Sequence, residues 1–203
     1  EILAGLEKTD LEIRSTTVRN EGRYLCVNLD YPSVFPTNTG LRPHILLEFT
    51  LSNARLPIEN KVVRTLIEET LKNVTLFDQL SIPSISVEET AAEKWVALTR
   101  KISAIERGHY PDDPTLVRHI YDLISIQHED SIQEHFFTLV PVVVHQDAKQ
   151  FKSQHPEYAA DPLSEIQRSL SILKTHPRWQ ERYQEFKDLM IYSKSETPSY
   201  QEA

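Results

Sequence analysis

The sequence predicts an α+β protein, a small and mostly antiparallel sheet followed by a bundle of helices. Two observations predict it. Residues 11–51 hold three extended stretches, the first two joined by the turn signal Asn20-Glu21-Gly22. From residue 87 onward, apolar residues recur instead at three- and four-residue spacing. The change of period divides the chain into a part at 1–86 and a helical part at 87–203.

Taken in order, residues 2–7 read as the tail of a helix, and 11–18 alternate, with Leu11, Ile13 and Ser15 set against Glu12 and Arg14. Residues 23–30 complete the hairpin. Residues 31–41, with two prolines and Asn38-Thr39-Gly40, read as a loop. The third strand, 43–51, puts Ile45, Leu47 and Phe49 on one face and His44, Leu46, Glu48 and Thr50 on the other. Glu48 stands out because a carboxylate within an apolar strand costs desolvation unless it is paired, hydrogen-bonded or metal-bound. Residues 61–73 read as weakly helical and 80–87 as an extended entry to the helices. Further helices are expected over 131–151, kinked or divided by Pro141, over 163–174, and over 177–192. Pro177 suits a first helical turn, and Trp179, Tyr183, Phe186 and Met190 make that last helix's core face.

The length of 203 residues is enough to bury a core without metals or disulfides. A formal net charge of −8 argues against a wholly basic nucleic-acid coat while leaving room for a local basic groove. The single cysteine, Cys26, sits in an apolar run and reads as a core thiol. No apolar run reaches spanning length and no signal peptide is present, so a cytoplasmic protein with no membrane partner is expected. The first residue is not Met and the chain opens within an apolar-periodic run, which reads as a cut inside a longer protein. There is no phosphate-cradling glycine loop, no cysteine pair and no nucleophile elbow. The eight histidines show no metal-binding spacing; His128 and His135, seven apart, could at most share a helix face. The run from His145 to Lys149 reads as a solvated helix face.

The informative stretch is 87–123. In its first helix, Glu88, Glu89 and Glu93 fill the early turns and Arg100 and Lys101 the last, the polarity a helix macrodipole favours. Val87, Ala91, Trp95 and Leu98 form the packing stripe, while Thr90, Lys94 and Lys101 share another face. After a connector with Gly108, Pro111 and Pro114, Leu116, Ile120 and Leu123 form a second apolar seam. Arg118, Asp122 and Ser125 line a polar stripe beside it. A short connector can bring the two polar stripes together.

Glu-Glu-Thr-Ala-Ala-Glu-Lys-Trp-Val-Ala-Leu (88–98) followed by Arg-His-Ile-Tyr-Asp-Leu (118–123) resembles the nucleotidyltransferase toxins of the AbiEii/AbiGii type. In that family a Thr-x-x-x-Lys helix precedes an Arg-Asp/His-x-Tyr-Asp-Leu helix. The resemblance extends back to Tyr-Pro-Ser (31–33) and Ile-Leu-Leu-Glu-Phe (45–49), and forward to Val-Val-Val-His (142–145) and Asp-Leu-Met-Ile-Tyr (188–192). It implies the C-terminal part of a polymerase-β-like nucleotidyltransferase core followed by a helical bundle. The implied chemistry moves a nucleotide from an NTP to an acceptor, such as a tRNA 3′ end or a protein hydroxyl, with Mg2+ held by carboxylates. A cognate antitoxin is the implied protein partner.

Carried over by position, Glu48 matches the third metal carboxylate and Lys94 the lysine that holds the triphosphate. Asp122 matches the aspartate that orients or deprotonates the acceptor or fixes Lys94; Arg118 adds a second cation, and Thr90 belongs to the nucleotide-binding stripe. His119 stands where many members have Asp, so no role transfers to it, and Tyr121 reads as packing. The family's Gly-Gly/Ser turn and Asp-x-Asp pair are absent; Asp10-Leu-Glu12 imitates the pair without the preceding turn and reads as coincidence. The motif is therefore expected upstream, and the 203 residues alone are expected to be inactive. The competing reading is a non-catalytic helical module that docks an antitoxin-like protein or RNA. The missing pair, the acidic charge and the departure at His119 favour that alternative.

Overall fold

A computed structural model describes residues 2–7, 11–32, 44–71, 78–127, 130–191 and 198–202. The expected loop over 31–41 falls almost wholly outside the described residues, as do Asp10, Ser33, His128 and Tyr192. The chain forms two compact units, Glu1–Asn53 and Ala54–Ala203.

The first unit holds a short helix α1 (Ile2–Leu6) and a three-stranded sheet of β1 (Glu12–Arg19), β2 (Tyr24–Asp30) and β3 (His44–Thr50) in the order β1-β2-β3. Both pairings are antiparallel, as the alternating patterns predict. Asn20, Glu21 and Gly22 all take positive φ (52°, 56° and 85°), which makes the hairpin's tight reversal. Asn and Gly accept that region at little cost, whereas Glu21 bears strain. The register shifts between Ile13 and Ser15, leaving Arg14 as an extra residue. The strict alternation expected of 11–18 therefore breaks: Ile13 pairs with Leu29, while Thr16 and Val18 face Val27 and Leu25. Burial concentrates on the central strand, where Val27 and Leu29 are at most 1% exposed. Cys26 lies on the opposite face of β2, across from Thr17 and Glu48, and is half-buried rather than a core thiol.

The second unit opens with a two-stranded antiparallel ladder of β4 (Glu59–Val63) and β5 (Leu80–Ser84), with helix α2 (Leu66–Thr70) between them. The weak helix expected over 61–73 is thus a strand through Val63 and a helix only over Leu66–Thr70, set off by the Thr65/Glu68 capping box. The β-branched pair Val62-Val63 takes up the ladder opposite Ser81 and Leu80. Six helices follow: α3 (Val87–Glu106), α4 (Val117–Ile126), α5 (Asp130–Gln150), α6 (Pro156–Ala160), α7 (Pro162–Thr175) and α8 (Pro177–Met190). No strand occurs among the described residues past Ser84. Pro141 lies inside α5, which runs through it without dividing.

Helix α3 is the axle of this unit and packs against α4, α5 and α7. It is buried on most of its circumference, not along the single stripe expected. On one side Ala92 and Val96 meet Leu139, Val143, Val144 and Tyr158; on the other Leu98 and Ile102 meet Leu116, Ile120, Trp179 and Tyr183. A fully buried Val, Leu or Ile contributes about 1.5–3 kcal/mol, so these two clusters carry most of the unit's stability. Alanines 91, 92 and 104 let neighbouring helices approach closely. Met190, expected in the core face of α8, is 41% exposed because it falls on the last turn.

Buried charges around α3 are paired. Glu89, 1% exposed, caps the chain at Arg55 and Leu56: its carboxylate accepts from both backbone N–H groups (2.8–3.0 Å) and from the Arg55 guanidinium at 2.9 Å. Arg100 donates to Asp147 of α5 at 2.7 Å and stacks over Phe151 at 3.6 Å. The run from His145 to Lys149 is therefore not one solvated face, since Asp147 and Ala148 turn inward.

Candidate functional site

The connector between α3 and α4 decides which polar side chains meet. α3 ends at Glu106 with Arg107 as its C-cap, and Gly108 takes φ 77° just beyond. Its N–H donates to Ile105 and the His109 N–H to Ala104, the paired bonds of a Schellman motif. The chain then reverses through Pro111 to Asp113, whose carboxylate accepts from the Thr115 N–H (2.9 Å) and hydroxyl (2.6 Å). That cap starts a 3-10 turn (Pro114–Leu116) leading into α4. Leu116, Val117, Ile120 and Ile124 turn inward onto α3 and α8, so the intervening residues present the polar stripe.

Lys94 of α3 and Asp122 of α4 meet directly. The ammonium Nζ donates to Asp122 Oδ2 at 2.7 Å, with side chains 31% and 40% exposed. Two stripes written 28 positions apart thus join as their spacing predicts. Arg118, one turn before Asp122, is exposed and has no ion-pair partner among the described residues. Thr90, one turn before Lys94, is half-buried, and its hydroxyl donates to the Ser86 carbonyl at 2.9 Å, which leaves its oxygen lone pairs as acceptors. Tyr121 packs against Phe186, as expected of a structural residue.

His119 is the residue that sequence reasoning passed over. Burial, followed by the positive charges of Lys94, Arg118 and Lys101, pushes its pKa down to about 4 against a smaller opposing pull from Asp122. It is neutral at pH 7, and its Nδ1 is buried without a hydrogen-bond partner among the described residues. Asp113 also feels this field: burial works against its charged form, but Thr115, Lys101 and Arg118 hold its carboxyl below the usual range. Lys94, Lys101 and Arg118 thus act on a neutral imidazole, with the carboxylates of Asp113 and Asp122 beside them. Such a patch suits a polyanion, because each cation gains by approaching phosphate.

Glu48 belongs to the sheet unit. It lies on β3 opposite Cys26, exposed, and Oε1 accepts from the Tyr24 hydroxyl at 2.5 Å. That hydrogen bond, aided by burial, raises the tyrosine pKa well above its ordinary value. The carboxylate is thus satisfied by a hydroxyl rather than left unpaired in the strand. It offers one hard oxygen donor of the kind Mg2+ takes. No group of three or more His, Cys, Asp or Glu gathers around it among the described residues. Among the described residues Glu48 therefore offers a single oxygen donor and no metal clamp.

Comparison with protein families decides the kinship. The family model described as nucleotidyl transferase AbiEii toxin, type IV toxin–antitoxin system, matches residues 1–203, the whole chain. The chain belongs to the AbiEii family. Neither a curated protein nor a solved structure matches it. Membership agrees with the fold observed, small antiparallel sheets joined to a helical bundle. The family's description is of a nucleotidyltransferase and of the toxin in a toxin–antitoxin pair, so a cognate antitoxin belongs to the family's biology. No helix among the described residues is long and apolar enough to cross a membrane.

Proposed function

We propose that this chain supplies the triphosphate- and acceptor-handling part of a nucleotidyltransferase that moves a nucleotide from an NTP to an acceptor such as a tRNA 3′ end. The observation that carries the reading is the Lys94–Asp122 hydrogen bond at 2.7 Å between the two helices whose sequences resemble the family's paired motifs. In the resting site the carboxylate holds the ammonium in place. When a triphosphate arrives, Lys94 turns to its oxygens and offsets the charge that builds on the departing pyrophosphate. Arg118, exposed and unpaired among the described residues, adds a second cation, and the Thr90 hydroxyl oxygen accepts from the ribose or a bound water.

Asp122, released from Lys94, is then a free carboxylate able to orient the acceptor hydroxyl and take its proton. Divalent metal, when bound, would neutralise the attacking and leaving oxygens together, and Glu48 is assigned to it as a carboxylate by its position in the family's pattern alone. The remaining carboxylates are assigned to the Asp-x-Asp segment that these 203 residues lack. The reading is tested by labelling RNA with each α-phosphate-labelled NTP in Mg2+. The 203-residue chain alone should give no transfer, and a longer protein that includes a Gly-Gly/Ser and Asp-x-Asp segment should give it. Transfer by the chain alone would reassign the metal pair to Asp10 and Glu12.

One observation favours the second reading, a module that docks an antitoxin. A cavity of about 830 Å³ lies among α3, α4, α5 and α7, lined by Trp95, Leu98, Ile120, Phe136 and Leu173 among others, and Phe137 on its rim is 77% exposed. Apolar openings of this kind accept a partner's side chains. The two readings are compatible, because neither Lys94 nor Asp122 lines the cavity. Antitoxin docking without any NTP-dependent labelling would leave the second alone.

A further inference from the structure

The spacing of histidines along the chain gives no ligand pattern, yet the fold gathers three donors at the far end of α3. The Schellman turn at Gly108 presents His109, while His155 and Glu157 flank Pro156 at the start of α6. One ligand atom from each of His109, His155 and Glu157 lies within 4.8 Å of the others. His109 Nε2 and Glu157 Oε2 are 2.8 Å apart.

The second observation concerns His155 alone. It is 0% exposed and stacked on Tyr158. Its Nε2 faces Glu165 Oε2 at 3.3 Å and Ser103 Oγ at 3.4 Å, while its Nδ1 is buried with no hydrogen-bond partner among the described residues. A buried ring nitrogen left without a partner costs stability unless something occupies it. We propose that His109, His155 through Nδ1, and Glu157 form a binding site for a divalent transition metal of the Zn2+ class, separate from any Mg2+ of nucleotide transfer.

The chemistry of the donors selects the metal. Two imidazoles and one carboxylate form a borderline-soft set that suits Zn2+ or its neighbours and not Mg2+, which takes oxygen. Glu165 is placed as the outer partner that metal-bound histidines require: its Oε2 lies 3.3 Å from His155 Nε2, where it can orient the ring and favour the tautomer with Nδ1 unprotonated. Glu165 is itself held by Arg107 at 2.5 and 2.9 Å and by the Ser103 hydroxyl. Arg107 also lies 4.0 Å from Glu157 Oε1, on the carboxylate oxygen that the His109 contact leaves free. One arginine against two glutamates leaves the pocket with a charge of −1, which favours a dication.

Tetrahedral ligands at Zn–N and Zn–O distances of about 2.0–2.2 Å sit about 3.3 Å apart. His155 is fixed, so the adjustment falls to His109 and Glu157, whose side chains are 29% and 40% exposed and free to turn. The occupied site would clasp the end of α3 to α6 and steady the connector that leads to α4.

The test titrates the untagged, EDTA-stripped 203-residue chain with Zn2+ by calorimetry, and with Co2+ by its visible absorption. One equivalent should bind, the thermal midpoint should rise, and EDTA should reverse both. Millimolar Mg2+ should not compete. His109→Ala and Glu157→Gln, both at the rim and expected to fold, should each weaken Zn2+ binding at least tenfold while keeping the wild-type melting point in EDTA. Absence of saturable one-to-one binding, or affinity changed less than threefold in both variants, would overturn the site.

Discussion

Lys94 and Asp122 are each about one-third exposed, a setting in which an ion pair contributes about 0–1 kcal/mol to stability. A pair of this kind adds little to the fold, so replacing either partner should leave stability nearly unchanged. Both residues were legible in the sequence because helical spacing fixes faces, and i, i+4 stripes survive whatever packs around them. His119 was not legible, since its distinction comes from burial among Lys94, Arg118 and Lys101, which no spacing records. Its folded pKa of about 4 lies below the ordinary 6.5, so between those values the unfolded chain binds more protons than the folded one. The stability His119 contributes is present above about pH 6.5 and is lost as pH falls toward 4. Urea unfolding between pH 7 and pH 4 should record a loss on the order of 2 kcal/mol that His119→Asn removes. An unchanged slope in the variant would mean that another group sets it.

At the scale of elements, α3 is where expectation and structure part most instructively. A single packing stripe was legible from Ala91 and Leu98, but partners arrive on three sides, and Thr99, Ser103 and Arg100 are buried as well. Polar residues hide such burial from a hydrophobicity pattern until their partners are known. Arg100 finds Asp147 47 positions away, and burial raises the Asp147 pKa against the pull of that guanidinium. Asp147→Ala should cost about 3–5 kcal/mol by stranding a cation that is only 5% exposed. The paired change Arg100→Met with Asp147→Leu should cost much less, and a chemical-denaturation cycle on the four proteins checks both. The β4–β5 ladder escaped for a different reason. Its partners, Lys61 with Ile82 and Val63 with Leu80, are separated by a helix, and five-residue strands carry too little alternation to be read alone. By contrast the β1–β2 hairpin was legible because Asn20-Glu21-Gly22 writes its turn locally, although the bulge at Arg14 was not.

For the whole molecule, family kinship and chemistry meet in what the 203 residues hold and what they lack. Lys94, Asp122, Arg118 and Thr90 are present on α3 and α4, and Glu48 on β3, while no Asp-x-Asp pair follows a Gly-Gly or Gly-Ser turn anywhere in the sequence. The net charge of −8 does not oppose the proposed reading, in which a triphosphate would meet the local field of Lys94, Lys101 and Arg118 rather than the average charge. The most direct measurement is nucleotide transfer from labelled NTP to RNA by a protein that carries these residues together with the Asp-x-Asp segment. Wild type is compared with Lys94→Ala and Asp122→Ala, with melting points taken in parallel. The account predicts that each variant loses at least a hundredfold in transfer, about 2.7 kcal/mol of transition-state stabilisation, while its melting point stays within a few degrees of wild type. Transfer within threefold of wild type in a folded Lys94→Ala or Asp122→Ala protein would contradict it and leave the pair as a structural tie between two helices.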